Sequence, residues 1–218
     1  MRCLSPISIL VDRYGSPLTE KRKKLYNQHD INLYFHYVQV PCGRCYACLS
    51  RRRREWSFRC MEEEKTCISS YFVTLTYRTN DLPRDIHAFK ADAQNWLKRV
   101  RNLVGFRTVR YIIVSDYGHD HARPHLHCII WNLPLKFDML DVARQTWHKG
   151  DQIFVGTVTR RSINYTLKYV FQKSDDNGSH ELFLLSSRRP AIGCNFLTAD
   201  NISRVRCYRN VWHTSEVS

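Results

Sequence analysis

The sequence predicts an α+β fold in which a central antiparallel sheet is covered by helices, and three observations carry that reading. Short runs rich in β-branched and aromatic residues (Ser70–Tyr77, Tyr111–Asp116, Gln152–Val158) alternate with longer stretches whose apolar residues recur at helical spacing. The link from Asp116 to the run opening at His125 is short and holds Gly118, Asp120 and Pro124, so it reads as a hairpin and not a parallel crossover. Finally, 218 residues suffice for one domain with a sizeable core plus extensions.

In chain order, Met1 to Val40 reads as an irregular basic segment, with Lys21-Arg22-Lys23-Lys24 as a charge run and a strand over Ile31–Val40. Cys42, Cys45 and Cys48 follow at C-x2-C-x2-C spacing. Leu49–Lys65 is predicted helical, with Trp56 and Cys60 on one face and Arg51-Arg52-Arg53-Arg54 sweeping around it. After the strand at Ser70–Tyr77, Arg84–Val104 forms an amphipathic helix that turns Phe89, Ala93, Trp96, Leu97, Val100 and Val104 inward. The hairpin comes next, then a helix around Phe137–His148, a strand at Gln152–Val158 and a helix over Ile163–Lys173. Ser174–His180 is a polar loop. The organisation expected is an N-terminal extension rich in Cys and Arg (residues 1–69), a core (70–174) and a C-terminal extension packing on that core (175–218). No internal repeat or low-complexity tract interrupts it.

Arg123-Pro124-His125-Leu126-His127-Cys128-Ile129-Ile130-Trp131 is the most informative stretch. Side chains alternate along a strand, so His125 and His127 share one face while Leu126, Cys128 and Ile130 take the other. A symmetric hairpin loop would set Asp116 directly opposite His125, and opposed residues share a face. Two imidazoles beside a carboxylate make an open cluster suited to a divalent cation.

In the last helix Ile163, Leu167, Val170 and Phe171 form the apolar stripe, and Tyr165 and Tyr169, at i and i+4, fall on nearly the opposite side with Lys168 and Lys173 nearby. A phenol is mostly neutral at pH 7 and needs a metal or a cation to act as a nucleophile.

These motifs, in this order, resemble those of HUH endonucleases, and specifically of microvirus (gokushovirus-type) rolling-circle replication initiators. Phe72-Val73-Thr74-Leu75-Thr76-Tyr77 resembles the first motif, His125-Leu126-His127 the second, and Tyr165-x-x-x-Tyr169 the third. Ser187 to Gly193, and Pro41 to Cys48 with the arginine run after it, resemble further segments of those proteins, so the likeness runs from about Pro41 to Leu197. The resemblance implies an HUH endonuclease core of ferredoxin/RRM-like type. It also implies Mg²⁺ or Mn²⁺ held by His125, His127 and Asp116, where the family usually carries the longer Glu. Tyr165 or Tyr169 would cut single-stranded or melted origin DNA with formation of a 5′-phosphotyrosine, and Tyr165-x-x-Lys168 matches the family's tyrosine-to-lysine spacing. A host helicase and polymerase would be partners, in the cytoplasm of a bacterial host.

Composition agrees. Lys+Arg 34 against Asp+Glu 20 gives a net charge of +14, which favours a polyanionic partner. Arg52, Arg53 and Lys173 are candidate phosphate contacts, although an arginine run is also what a solvated helix face looks like. No apolar run approaches a membrane span and no signal-peptide core opens the chain. Nine cysteines, an odd number, argue for reduced thiols over a disulfide framework. Cys42, Cys45 and Cys48 are candidate ligands of a structural Zn²⁺, with Cys60, Cys67 or His36 as the fourth; close thiol triplets also serve iron–sulfur clusters. Two other readings stay open: an HUH transposase-type strand-transfer enzyme, and a non-catalytic, zinc-stabilised basic nucleic-acid-binding module.

Overall fold

The computed structural model of the chain describes residues 2–105, 109–118, 123–171, 182–198 and 200–202, with the backbone alone at 169 and 170. Lys173, the Ser174–His180 loop, His119 and His121 lie outside the described residues. The chain divides into two compact units, Met1–Arg52 and Arg53–Ser218.

In the first unit, strands β1 (Ile7–Asp12) and β2 (Phe35–Val40) pair antiparallel from Ile7↔Val40 to Asp12↔Phe35. Two short helices, α1 (Glu20–Lys23) and α2 (Gln28–Tyr34), connect them. The expected strand over Ile31–Val40 is corrected here. Asn27 Oδ1 accepts from the Asp30 N–H at 2.8 Å and starts a helix that runs to Tyr34, so extended backbone begins only at Phe35. The supposedly irregular start likewise holds a strand, whose Asp12 carboxylate accepts from the N–H groups of Tyr14 and Ser16 and pairs with Arg22.

Helix α3 (Tyr46–Glu64) leads into the second unit, which is built on a five-stranded sheet of order β6-β3-β5-β4-β7, antiparallel throughout. Its strands are β3 (Ser70–Thr76), β4 (Arg110–Tyr117), β5 (Pro124–Trp131), β6 (Ile153–Gly156) and β7 (Leu184–Ser186). Its remaining helices are α4 (Ile86–Val104), α5 (Met139–Thr146) and α6 (Arg160–Val170). The α+β sandwich read from the sequence is the architecture observed; β7, only three residues long, is too short to show a strand pattern in the sequence.

The pleat divides the sheet as the alternation requires. Val73, Leu75, Ile113, Leu126, Cys128 and Ile130 pack with Phe89, Ala93, Trp96, Leu97, Val100 and Val104 of α4 and with Met139, Val142 and Ala143 of α5. Asp85 caps α4 through the Ala88 N–H, and Gly105 ends it at φ 69°, a left-handed conformation glycine adopts without steric cost. The other face offers Ile112, Val114, Ile129 and Trp131 to Cys60 of α3 and to Ile163, Leu167 and Phe171 of α6.

Buried polar groups are paired and hold this frame. The indole N–H groups of Trp96, Trp131 and Trp147 donate to Thr146 Oγ1, Glu64 Oε2 and the Thr76 carbonyl. Glu63, 2% exposed, takes both forks of the Arg110 guanidinium and the Gly193 N–H at 2.8 Å. It thereby ties the Ser187–Gly193 segment to α3 and β4 by charge-assisted bonds. Gly193 sits at φ 73°, and a Cβ there would lie 2.6 Å from the Arg59 carbonyl oxygen, so the close approach requires glycine.

Candidate active site

The pairing register of β4 and β5 sets Asp116 opposite His125 and Val114 opposite His127, while β3 sets Thr74 opposite His127. Asp116, His125, His127 and Thr74 therefore share the face covered by α6. The two imidazoles stack with centroids 6.4 Å apart and planes 7° from parallel, and Phe72 stacks on the far side of His127 at 6.0 Å. His127 is 5% and Asp116 7% exposed.

Hydrogen bonds orient both rings. His125 Nδ1 lies 2.6 Å from the Arg123 carbonyl, which can only accept, so Nδ1 carries the proton and the neutral ring keeps its lone pair on Nε2. His127 contacts Thr74 Oγ1 through Nδ1 at 3.1 Å and Asp116 Oδ2 through Nε2 at 3.2 Å. A hydroxyl serves either tautomer, so His127 can turn its Nε2 lone pair toward a cation when Asp116 does the same. In type and orientation these donors suit a divalent ion. They are more splayed than a closed site: among the described residues, only the thiols of Cys3, Cys42, Cys45 and Cys48 form a set of three or more such donors all within 4.8 Å of one another.

Helix α6 is started by a reciprocal pair in which Thr159 Oγ1 accepts from the Ser162 N–H and Ser162 Oγ accepts from the Thr159 N–H. It brings Tyr165 to the cluster. Helical phase alone predicts an outward phenol; instead the Tyr165 ring meets His127 edge-on at 5.2 Å and Phe72 at 6.3 Å while staying 43% exposed. The helix lies across the histidine face of the sheet, which turns the flank opposite its apolar stripe toward that site. Tyr169 lies one turn further along α6.

Two clefts meet at Tyr165. One, about 430 Å³, is lined by Asp116, His125, His127, Thr74, Phe72 and the exposed Phe154. The other, about 710 Å³, runs between α3 and α6 and gathers Arg53, Arg54, Arg160, Arg161 and Lys168. A larger cleft of about 800 Å³ beside β7 contains none of the histidine, tyrosine or Asp116 positions.

Of the predicted phosphate contacts, Arg53 lines the basic groove and Lys168 joins it; Arg52 is exposed on α3 and is not among its lining residues. The sequence reading missed Arg54, Arg160 and Arg161. Two arginines in the first turn of α6 oppose the positive end of the helix dipole, an unfavourable placement for the helix itself. That conflict is readable from the sequence and points to an anion. Thr74 and Phe154 were also missed, because only the three-strand register sets them around His127.

The cysteine expectation is corrected in its fourth member. Cys60 is fully buried between α3 and the sheet, Cys67 bonds the Glu64 carbonyl, and His36 lies opposite Val11 on β2. Cys3 is the residue that joins Cys42, Cys45 and Cys48.

Comparison with known proteins agrees with the resemblance in the motifs. Residues 70–175 match the family model of the phage replication-associated protein ORF2, and through this segment the chain belongs to that family. The chain is 28% identical over 79% of its length to replication-associated protein ORF2 of Spiroplasma virus 4. It is 24% identical over 88% to replication-associated protein VP4 of Bdellovibrio phage phiMH2K, and 20% identical over 76% to replication-associated protein ORF4 of Chlamydia phage 1. The matches span 61%, 66% and 42% of those relatives, less than two thirds of each. No solved structure gives a significant match. Among the described residues no helix is long and apolar enough to cross a membrane.

Proposed function

We propose that the chain is a rolling-circle replication initiator, a metal-dependent endonuclease and strand transferase acting on single-stranded or melted origin DNA. The observation that carries this reading is Tyr165 at the junction of the His/Asp cleft and the basic groove. The groove would hold the phosphate backbone through Arg53, Arg54, Arg160 and Arg161, while Phe72 and Phe154 offer faces on which bases can stack. A Mg²⁺ or Mn²⁺ ion at His125, His127 and Asp116, when bound, would polarise the scissile phosphate and offset charge developing on its oxygens. Tyr165 attacks phosphorus in line: a P–O bond to the phenol forms and the bond to the 3′ oxygen breaks. The phenol gives up its proton and the departing oxygen takes one up, leaving a 5′-phosphotyrosine and a free 3′-hydroxyl. Lys168, three residues on, places a cation beside the developing phenolate. Tyr169 then cuts the regenerated origin, and the first 3′-hydroxyl displaces a phosphotyrosine to close the circle. No nucleotide hydrolysis is needed, because each phosphotyrosine retains the free energy of the bond it replaced. Strand opening and synthesis fall to the host helicase and polymerase, in the host cytoplasm.

The test is incubation of the protein with single-stranded oligonucleotides tiled across the parental origin, with and without Mg²⁺ or Mn²⁺. A covalent adduct at one junction, formed only with metal, is expected. Absence of cleavage on every oligonucleotide would leave the non-catalytic binding module, and joining to unrelated target DNA would favour the transposase-type reading.

Binding should depend steeply on salt, as release of counterions from neutralised phosphates requires. Arg160→Gln with Arg161→Gln should lower the slope of log K against log[salt] by roughly 1 to 2 and weaken all sequences about equally. A slope equal to that of the unaltered protein would remove these arginines from the interface.

A further inference from the structure

We propose that Cys3, Cys42, Cys45 and Cys48 bind one zinc ion as a tetrathiolate site, and that this ion stands in for a hydrophobic core in the N-terminal unit. The sulfur positions carry the proposal. Cys3 Sγ lies 3.6 Å from Cys42 Sγ and 3.8 Å from Cys45 Sγ, and Cys42 Sγ lies 4.0 Å from Cys48 Sγ. Four thiolates at about 2.3 Å from a central zinc stand about 3.8 Å from one another along the edges of the tetrahedron. A disulfide would bring two sulfurs to about 2.05 Å, and none of the four is so bonded. An iron–sulfur cubane would place each thiolate on a different iron and hold them further apart, so the spacing fits a single ion.

The backbone is already arranged for thiolates. Cys45 N–H donates to Cys42 Sγ at 3.3 Å, Cys42 N–H to Cys3 Sγ at 3.3 Å, and Leu4 N–H to Cys45 Sγ at 3.4 Å. Such donors stabilise negative sulfur and would be wasted on neutral thiols. The turn that allows them passes through Gly43 at φ 76°, where an L side chain would be strained.

The unit also needs such a staple. Among its described residues only Val11, Phe35, Ala47 and Cys48 are buried, too few to hold about 50 residues by apolar burial alone. The β1–β2 register ends at Ile7↔Val40, so Cys3 and Cys42 lie just beyond the open end of the hairpin, where an ion would close it. Cys45 and Cys48 bring in the start of α3.

The experiment uses the full chain purified without chelator. Elemental analysis should find one zinc per chain, released as the thiols are modified with an organomercurial. Replacement by Co²⁺ should give the visible d–d bands and near-ultraviolet charge transfer of a tetrathiolate. Cys3→Ser should weaken Co²⁺ affinity on the order of 100-fold or more and shift the d–d bands, whereas Cys67→Ser and Cys194→Ser should change neither. Chelation should open trypsin sites within residues 1–52 while the second unit resists. The proposal is overturned by a metal-free protein that gives no tetrathiolate cobalt spectrum, by iron in place of zinc, or by unaltered affinity in Cys3→Ser. None of these readouts uses DNA cleavage, so they stand apart from the proposed endonuclease reaction.

Discussion

Tyr165→Phe is expected to reduce covalent attachment to a cleaved origin strand on the order of 10³-fold or more, because it deletes the attacking oxygen and little else. Phenylalanine keeps the ring, so the edge contacts to His127 and Phe72 persist and the variant should fold. Its affinity for single-stranded DNA should also hold, since the arginines of the groove remain. Tyr169→Phe should behave differently. About 6 Å of rise and 40° of rotation separate the two positions on a helix, so the first cut proceeds while closure of a unit circle fails. Adduct formation resolved by gel, followed by a circularisation assay, separates the two variants. An adduct formed by the double variant would place the nucleophile elsewhere in the chain.

Much of this geometry is legible because strands and helices impose simple periods. Alternation alone sets His125 and His127 on one face, and the short hairpin loop sets Asp116 opposite His125, as the register has it. The six inward residues predicted for α4 are the six that are buried, because a full-length amphipathic helix repeats its signal over five turns. What escapes is non-local. Thr74 bonds His127 only because β3 lies next to β5, a pairing between residues 53 apart that no periodicity reports. Cys3 reaches Cys42 across 39 residues by virtue of a hairpin whose first strand reads as irregular in the sequence. The phase of α6 gives the direction of Tyr165 relative to its own helix but not what that helix covers. The interaction of its ring with His127 therefore cannot be read from one segment.

His125→Ala should lower metal-dependent nicking about 10²- to 10³-fold while single-stranded DNA binding survives. His125 is the cleaner of the two histidines to remove. Its ring is partly exposed and its Nδ1 is committed to the Arg123 carbonyl, so the loss falls on the Nε2 lone pair. His127 is buried between Phe72 and the His125 ring, and His127→Ala would leave a cavity and an unpaired Asp116 beside it. A fall in melting temperature should accompany its loss of activity, which makes it a weaker test of ligation. Asp116→Asn should be milder than either, since the amide retains an oxygen donor but loses the charge that favours a divalent cation. Its defect should shrink as Mn²⁺ is raised, because added metal offsets weaker binding by mass action. Cleavage by His125→Ala at the rate of the unaltered chain, with the same Mn²⁺ dependence, would show that this imidazole holds no catalytic ion. The stacked histidines would then be a structural pair closing one end of the sheet, and Tyr165 would need another source of activation.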